Sequence, residues 1–247
     1  VMDETVAHHG RRLSTAVMGP KRVDVIRHPG RGRDLARRSR DRSFRGREGD
    51  CIVSKVTIDK TTKKYHGQMA AVYDAKRIKQ RRWHEENEAV EEMMQGLRKG
   101  ATVLDCPVGT GRFLKLWEKL GYAATGLDAS DSMLDLAKRK SKKFPLVLGS
   151  ATELESMFRT KFDAGVCVRF LDLIDEGAMR EVVGQLSAVV KSRLVLTIRL
   201  GARYVPKVNT AEHDEKKFRA LMTRHKWRQT ADKPIFEAGW HVLRFDR

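Results

Sequence analysis

Cysteine is scarce in this chain of 247 residues. There are three, Cys51, Cys106 and Cys167, an odd count with no metal-ligand spacing, so no metal centre is expected. Long apolar runs are missing too. Nothing approaches the roughly 20 consecutive apolar residues that cross a bilayer, so no membrane partner is expected. The opening stretch VMDETVAHHGRRL lacks the apolar core of a secretory signal. Few cysteines, no span and no signal together lead to the expectation of a reducing, cytoplasmic setting.

What is abundant is charge. Charged residues make up 33% and apolar residues 40%, more polar than an average globular domain, and the formal net charge is +18. The excess is spread along the chain: residues 1–60 carry 15 Lys/Arg against 8 Asp/Glu, and the remaining 187 carry 35 against 24. Such a surface attracts phosphate, or serves solubility alone. Within the first fifty residues, HPGRGRDLARRSRDRSFRGREGD is nearly empty of large apolar side chains. It cannot bury enough surface to offset the entropy of ordering, so residues 1–60 are expected to form a disordered basic N-terminal arm. Arg/Gly/Ser segments of this kind bind nucleic acid without fixed structure, and they also occur as tails with no partner. Both readings stay open. The alternation CIVSKVTI, through Ile58, could add a short strand.

Residues 61–247 read as one domain, opening with a helical lid over 61–82. A helix is expected from Trp83 to Leu97, with Ala89, Val90, Met93, Met94 and Leu97 on one face and Glu85, Glu86, Glu88, Glu91 and Glu92 on the others. Beyond Gly100 the pattern alternates. ATVLDC, YAATGLD, FPLVLGS, FDAGVCVRF and RLVLTIRL read as strands. GRFLKLWEKLG, DSMLDLAKRKSKK, ATELESMF and GAMREVVGQLSAVVK read as the helices between them. A last helix, AEHDEKKFRALMTRH, precedes WRQTAD and WHVLRFD, whose connection is too short for a crossover helix and fits an antiparallel hairpin. The expected architecture is α/β and doubly wound: a mostly parallel seven-stranded sheet with a C-terminal antiparallel hairpin.

The stretch that carries chemistry is VLDCPVGTGRF. A buried strand ends in Asp105, and a tight loop with Gly109 and Gly111 opens a helix. Glycines let backbone approach a ligand closely, and the helix start offers free N–H groups. Nineteen residues after Gly109 the second strand ends at Asp128, where an acid can hold both hydroxyls of a ribose. A dinucleotide-binding oxidoreductase also has an acid at about that distance, but the loop here is D-x-P-x-G-T-G rather than G-x-G-x-x-G, and an acid closes strand one.

With VLDCPVGTGRF as first motif and GLDASDSML as second, residues 83–247 resemble the class I S-adenosylmethionine-dependent methyltransferases. FPLVLGSATEL and FDAGVCVRFLDLI are weaker matches to the third and fourth motifs. The resemblance implies S-adenosyl-L-methionine as cofactor. It assigns Asp105, Pro107, Gly109 and Gly111 to the methionine and ribose side, and Asp128 to the ribose. Met133, Ser150 and Ala151 go to the adenine, and Val168 to the end of strand four. Two departures stand out: Pro107 replaces the motif's usual first glycine, and Ser150 stands where the third motif usually has an acid.

Methyl transfer from a sulfonium is an in-line displacement, in which the protein mostly aligns and desolvates the reactants. A base is needed only if the acceptor must lose a proton, so no catalytic base is legible. Val168-Arg169-Phe170-Leu171 stands where base-amino methyltransferases resemble Asn/Asp-Pro-Pro-Tyr/Phe, which argues against that acceptor. Acceptor-side candidates are Arg169, Asp172 and Tyr73, followed by Arg199, Tyr204, Tyr65 and Trp83. Arg169 leads, as a cation beside the cofactor that could bind an acidic acceptor. His213 is expected on a helix surface. Cys106 and Cys167 end neighbouring strands of the resembled fold and are expected near the cofactor's methionine end. The expected activity is methyl transfer to a small molecule. The alternatives are an RNA or other nucleic-acid acceptor, and a catalytically silent cofactor-binding module.

Overall fold

The computed structural model describes residues 68–201, 211–235 and 239–247. The basic arm, the candidate strand at 52–58, Cys51, Tyr65 and Tyr204 lie outside the described residues.

Within them the chain runs α1 (Gln68–Arg77), α2 (Arg81–Met94), β1 (Thr102–Asp105), α3 (Leu114–Leu120), β2 (Ala123–Asp128), α4 (Asp131–Lys140), β3 (Leu146–Leu148) and α5 (Leu154–Met157). It continues through β4 (Phe162–Cys167), a 3₁₀ turn at Leu171–Leu173, α6 (Glu176–Val189), β5 (Val190–Arg199), α7 (Glu215–Arg224), β6 (Arg228–Pro234) and β7 (Trp240–Asp246). The sheet has seven strands in the order β3-β2-β1-β4-β5-β7-β6. All pairs from β3 to β5 are parallel, and β7 runs antiparallel to both β5 and β6. Six strands thus share one direction and β7 opposes them. Among the described residues no helix is long and apolar enough to cross a membrane.

The central strands read as near-continuous apolar runs because both their faces are covered. Successive side chains feed opposite layers. Leu104, Cys167, Leu194, Leu196 and Leu243 pack with Val182, Val183 and Leu186 of α6 and with Phe218 and Met222 of α7. Val103, Val166, Val195 and Val242 pack with Val90, Met93 and Met94 of α2, Trp117 of α3 and Ala137 of α4. Three helices begin on an acceptor cap: Ser130 takes the Met133 N–H, Asp175 the Ala178 N–H and Asp214 the Lys217 N–H.

Three expectations need correction. The α2 helix stops at Met94 rather than Leu97, and the Tyr122 hydroxyl donates to the Met94 carbonyl at 2.7 Å, meeting an acceptor at the helix end. Glu86 is not on a solvent face: it is fully buried, on the same stripe as Val90 and Met93. His213 is likewise not a surface helix residue. It precedes α7, is 2% exposed, pairs in an isolated bridge with Leu200, and its Nε2 meets the Leu171 carbonyl at 2.7 Å. Burial holds its pKa below the ordinary value.

Candidate functional site

The strand order reverses between β1 and β4, and ligands of open α/β sheets sit outside the carboxyl ends at such a reversal. A cleft of about 900 Å³, open mouth included, lies at that place. At one end it is lined by Pro107, Val108 and Gly109 from the loop after β1, by Asp128 to Ser130 after β2, and by Met133, Gly149 and Ala151. At the other end are Tyr73, Trp83, Arg112, Val168, Arg169, Phe170 and Leu173.

The loop after β1 is held by the acid after β2. The Gly109 N–H donates to Asp128 Oδ2 at 2.8 Å and the Ser130 N–H to Oδ1 at 2.9 Å. Gly109 sits at φ 55°, in the left-handed region, and an added Cβ there would meet no atom within 4 Å. Among the described residues nothing therefore crowds its Cα on the cleft side, so a ligand can approach the backbone closely. Gly111 has another task. It lies off the cleft lining at φ 78°, where a Cβ would approach Leu114 Cδ1 to 2.7 Å and Ala137 Cα to 3.1 Å. It lets the start of α3 pack closely on α4.

Of the nine residues assigned to the cofactor side, Pro107, Gly109, Asp128, Met133, Ala151 and Val168 line the cleft, and Asp105, Gly111 and Ser150 do not. Asp105 lies under the loop, 2% exposed, accepting from the Trp117 indole N–H at 3.0 Å. Burial raises its pKa to about 7 against the pull of that hydrogen bond. Ser150 sits between two lining residues with its hydroxyl on Thr152 at 2.8 Å.

On the acceptor side, Tyr73, Trp83 and Arg169 line the cleft, and Asp172 and Arg199 do not. Arg199 is buried, 3.6 Å from Glu212, at the end of β5. Asp172 is 3% exposed, and among the described residues its Oδ1 finds no hydrogen-bond partner. Burial raises its pKa to about 6, with Arg82 opposing. Cys106 and Cys167 are both buried and free. The parallel register pairs Asp105 with Val166, so the next residues, the two cysteines, are neighbours on one face. Neither lines the cleft, and burial pushes both thiols up in pKa.

Sequence reasoning missed a buried group behind the Trp83 end of the cleft. Glu86 of α2 receives three guanidinium groups: Arg82 Nε at 2.8 Å, Arg112 Nη1 at 2.8 Å and Arg169 Nε at 2.6 Å. Burial works to raise the Glu86 pKa, but Arg169, Arg82 and Arg112 prevail and hold it below the ordinary value. Arg82 comes from α2 itself, one turn before Glu86, while Arg112 and Arg169 bring the loop after β1 and the exit of β4 to this carboxylate. Arg112, after the glycine loop, also donates to Asn87 at 2.7 Å and to the Trp83 carbonyl at 2.5 Å, and stacks on the Trp83 ring. Arg82 lies 3.2 Å from the ring centroid of Trp240 on β7. Arg169 leaves β4 at φ 55°, a conformation rare outside glycine, while its N–H donates to Thr197 at 2.7 Å. One signal for Glu86 was available: its spacing of three from Trp83 and four from Val90 puts it on the apolar stripe. A second contact ties α1 to the loop, since Asp74 accepts from Thr110 at 2.7 Å and pairs with Lys140.

Residues 103–193 match the family model described as a methyltransferase domain. No curated protein matches the sequence. Solved structures share the fold at low identity. The magnesium protoporphyrin IX methyltransferase of Synechocystis PCC 6803 with bound S-adenosylhomocysteine superposes with a TM-score of 0.59 at 14% identity, covering 81% of this chain and 98% of that one. The 1,6-didemethyltoxoflavin-N1-methyltransferase of Burkholderia thailandensis, solved with 1,6-didemethyltoxoflavin and S-adenosylhomocysteine, gives 0.58 at 17% identity, covering 84% and 92%. A methyltransferase from Archaeoglobus fulgidus gives 0.55 at 15%, covering 71% and 98%. The family model thus marks a methyltransferase domain over residues 103–193, set in a fold with the strand order and glycine loop described above and shared with these solved methyltransferases.

Proposed function

We propose that this methyltransferase binds S-adenosylmethionine across the Asp128 end of the cleft and methylates a small molecule held at the Trp83 end. The observation that carries this reading is the continuity of one cleft from Asp128 and Gly109 to Tyr73, Trp83 and Phe170. Bound there, the cofactor supplies a methyl group already activated on a sulfonium.

The residues fit that role. A carboxylate offers about four acceptor positions, so Asp128 can take ribose hydroxyls beside its two backbone donors. Leu127, Met133 and Ala151 give the apolar walls an adenine needs. Pro107, Gly109 and the backbone at Val168 face the methionine part. Asp105 and Gly111 act indirectly, by supporting the loop. At the acceptor end Trp83 and Phe170 are nearly buried, which suits a small acceptor and helps exclude water. The named acceptors of two related folds, magnesium protoporphyrin IX and 1,6-didemethyltoxoflavin, are small molecules as well. Two neighbouring cysteines that remain free suit a reducing, cytoplasmic setting.

A nucleic-acid acceptor is the second reading. It is favoured by the exposed run Lys138, Arg139, Lys142 and Lys143 at the end of α4, and by the net charge of +18. Calorimetry with S-adenosylmethionine tests the cofactor half. Asp128→Ala is expected to weaken binding by about 1–3 kcal/mol, the scale for losing a charged hydrogen-bond partner. Unchanged affinity in a folded variant removes Asp128 from the ribose role. Methyl release on mixed acceptors then separates an enzyme from a silent binding module.

A further inference from the structure

Among the described residues three large apolar side chains are well exposed: Val72 at 40%, Ile78 at 54% and Leu148 at 59%. Leu148 stands by itself on the edge strand β3. Val72 and Ile78 belong together, on α1 and the turn that leaves it. Ile78 is held out rather than frayed out. Its N–H donates to the Asp74 carbonyl at 2.9 Å, and its own carbonyl meets His84 Nε2 at 2.8 Å. Scattered apolar side chains on a surface need no explanation, but these two share their place with a set of cations.

From Val72 to His84 there is one acid, Asp74, against Lys76, Arg77, Lys79, Arg81 and Arg82. Asp74 is turned toward the loop after β1, accepting from Thr110 at 2.7 Å and pairing with Lys140. Arg82 is buried on Glu86, Arg81 pairs with Glu85, and Arg77 leans on Tyr73 and Gln80. Lys76 and Lys79 are exposed and make no ion pair among the described residues. Helical spacing puts Val72, Ala75 and Lys76 on one face, all exposed, while Tyr73 on the other side lines the cleft. The wall of the cleft is thus one helix thick here, with an outer face of aliphatic and cationic groups. Beside it stands the end of α4, joined through Lys140 and Asp74, with Arg139, Lys142 and Lys143 exposed.

We propose that the outer face of α1 and the turn after it form a docking surface for an anionic membrane, one helix away from the cleft. Lys76 and Lys79 match the negative charge of lipid headgroups, and Val72 and Ile78 enter the layer beneath them. Reversible surface binding of this kind needs no membrane-spanning helix. Nucleic acid would match the same cations, but its bases call for exposed aromatic side chains on which to stack. The aromatic ring of α1, Tyr73, lines the cleft instead, and the large apolar side chains exposed here are aliphatic. The inference goes beyond the functional reading and is independent of it, since binding to a lipid surface needs neither cofactor nor acceptor.

The full chain is sedimented with vesicles of phosphatidylcholine alone and of phosphatidylcholine mixed with phosphatidylglycerol. Binding is expected to the mixed vesicles only. Because the whole chain is basic, the deciding variant is one that keeps every charge. Val72→Gln combined with Ile78→Gln is expected to weaken binding to mixed vesicles roughly tenfold or more, the scale for withholding two aliphatic side chains from an apolar phase. Lys76→Gln and Lys79→Gln are each expected to weaken it roughly fivefold, the effect of one cation near an anionic surface. All variants should keep the urea midpoint of the wild type, since the altered side chains lie outside the core. Ile78→Trp, which restores an interfacial side chain, is expected to bind as the wild type does and to shift its emission to the blue on mixed vesicles. A wild type that ignores mixed vesicles, or binds both kinds equally, overturns the proposal. So does a Val72/Ile78 variant that binds mixed vesicles as tightly as the wild type, or an Ile78→Trp emission that vesicles leave unchanged. If only the lysine variants matter, and they weaken binding of a single-stranded RNA oligonucleotide as well, the surface belongs to nucleic acid and the proposal falls.

Discussion

At the Asp128 end, the cleft is made by residues 107–109, 128–133 and 149–151, three short stretches that each follow a strand. At the Trp83 end it is made by Trp83 and Glu86 of α2, Arg112 after the glycine loop, Arg169 after β4 and, behind them, Trp240 of β7. The first end works with backbone: a glycine at positive φ and one carboxylate bonded to main-chain N–H groups. The second works with long side chains that meet around a single buried acid. A backbone-built end tolerates loss of side chains away from its one acid. A side-chain-built end depends on the whole set, because removing one member strands the others as buried, unmatched charge.

The sharpest way to break this comparison is to remove the acid. Glu86→Ala leaves Arg82, Arg112 and Arg169 facing one another, and is expected to destabilise the fold by about 3–5 kcal/mol in urea unfolding. A loss below about 1 kcal/mol would show that water or rearrangement already serves these arginines. Next in size is Gly111→Ala. The added Cβ would approach Leu114 and Ala137 closely and sit at φ 78°, so a loss of roughly 1–3 kcal/mol is expected from overpacking and backbone strain. An Ala at that site with wild-type stability would mean that the α3–α4 contact is loose.

Different in kind, because it depends on pH, is the effect at Asp105. Its folded pKa is raised to about 7 from 3.8. Between those values the native state holds a proton that the unfolded chain has lost, so this group lowers stability as pH rises from about 4 to 7 and costs nothing below that window. Asp105→Asn keeps an oxygen for the Trp117 indole and cannot ionise. Relative to wild type it should therefore gain stability as pH rises, by at most about 1.4 kcal/mol per pH unit. The check is urea unfolding of both proteins at pH 5 and pH 8. A difference between them that does not change with pH would contradict a raised pKa at Asp105.

The same contrast explains what could be read from sequence. Strand and helix order was legible because apolar runs such as VLTI and alternations such as WHVLRFD reflect coverage by the two layers directly. Gly109 and Asp128 were legible because a glycine loop and an acid nineteen residues on are local facts about one β–α–β unit. Gly111 was legible as a glycine but not in its task, since its neighbour Ala137 comes from the next helix. The Glu86 cluster was not legible as a site. Arg82, Arg112 and Arg169 lie far apart in the chain among 50 Lys/Arg, and only tertiary pairing singles them out. His213 was misjudged for a related reason: polar neighbours suggested solvent, while a carbonyl from the turn after β4 satisfies it inside the fold.

The most direct test of the account is a crystal structure of the full chain with S-adenosylhomocysteine. The account predicts ribose hydroxyls within hydrogen-bond distance of the Asp128 carboxylate and adenine between Met133 and Ala151. It also predicts the sulfur directed toward Val168 and Arg169. A ligand seated elsewhere would contradict it.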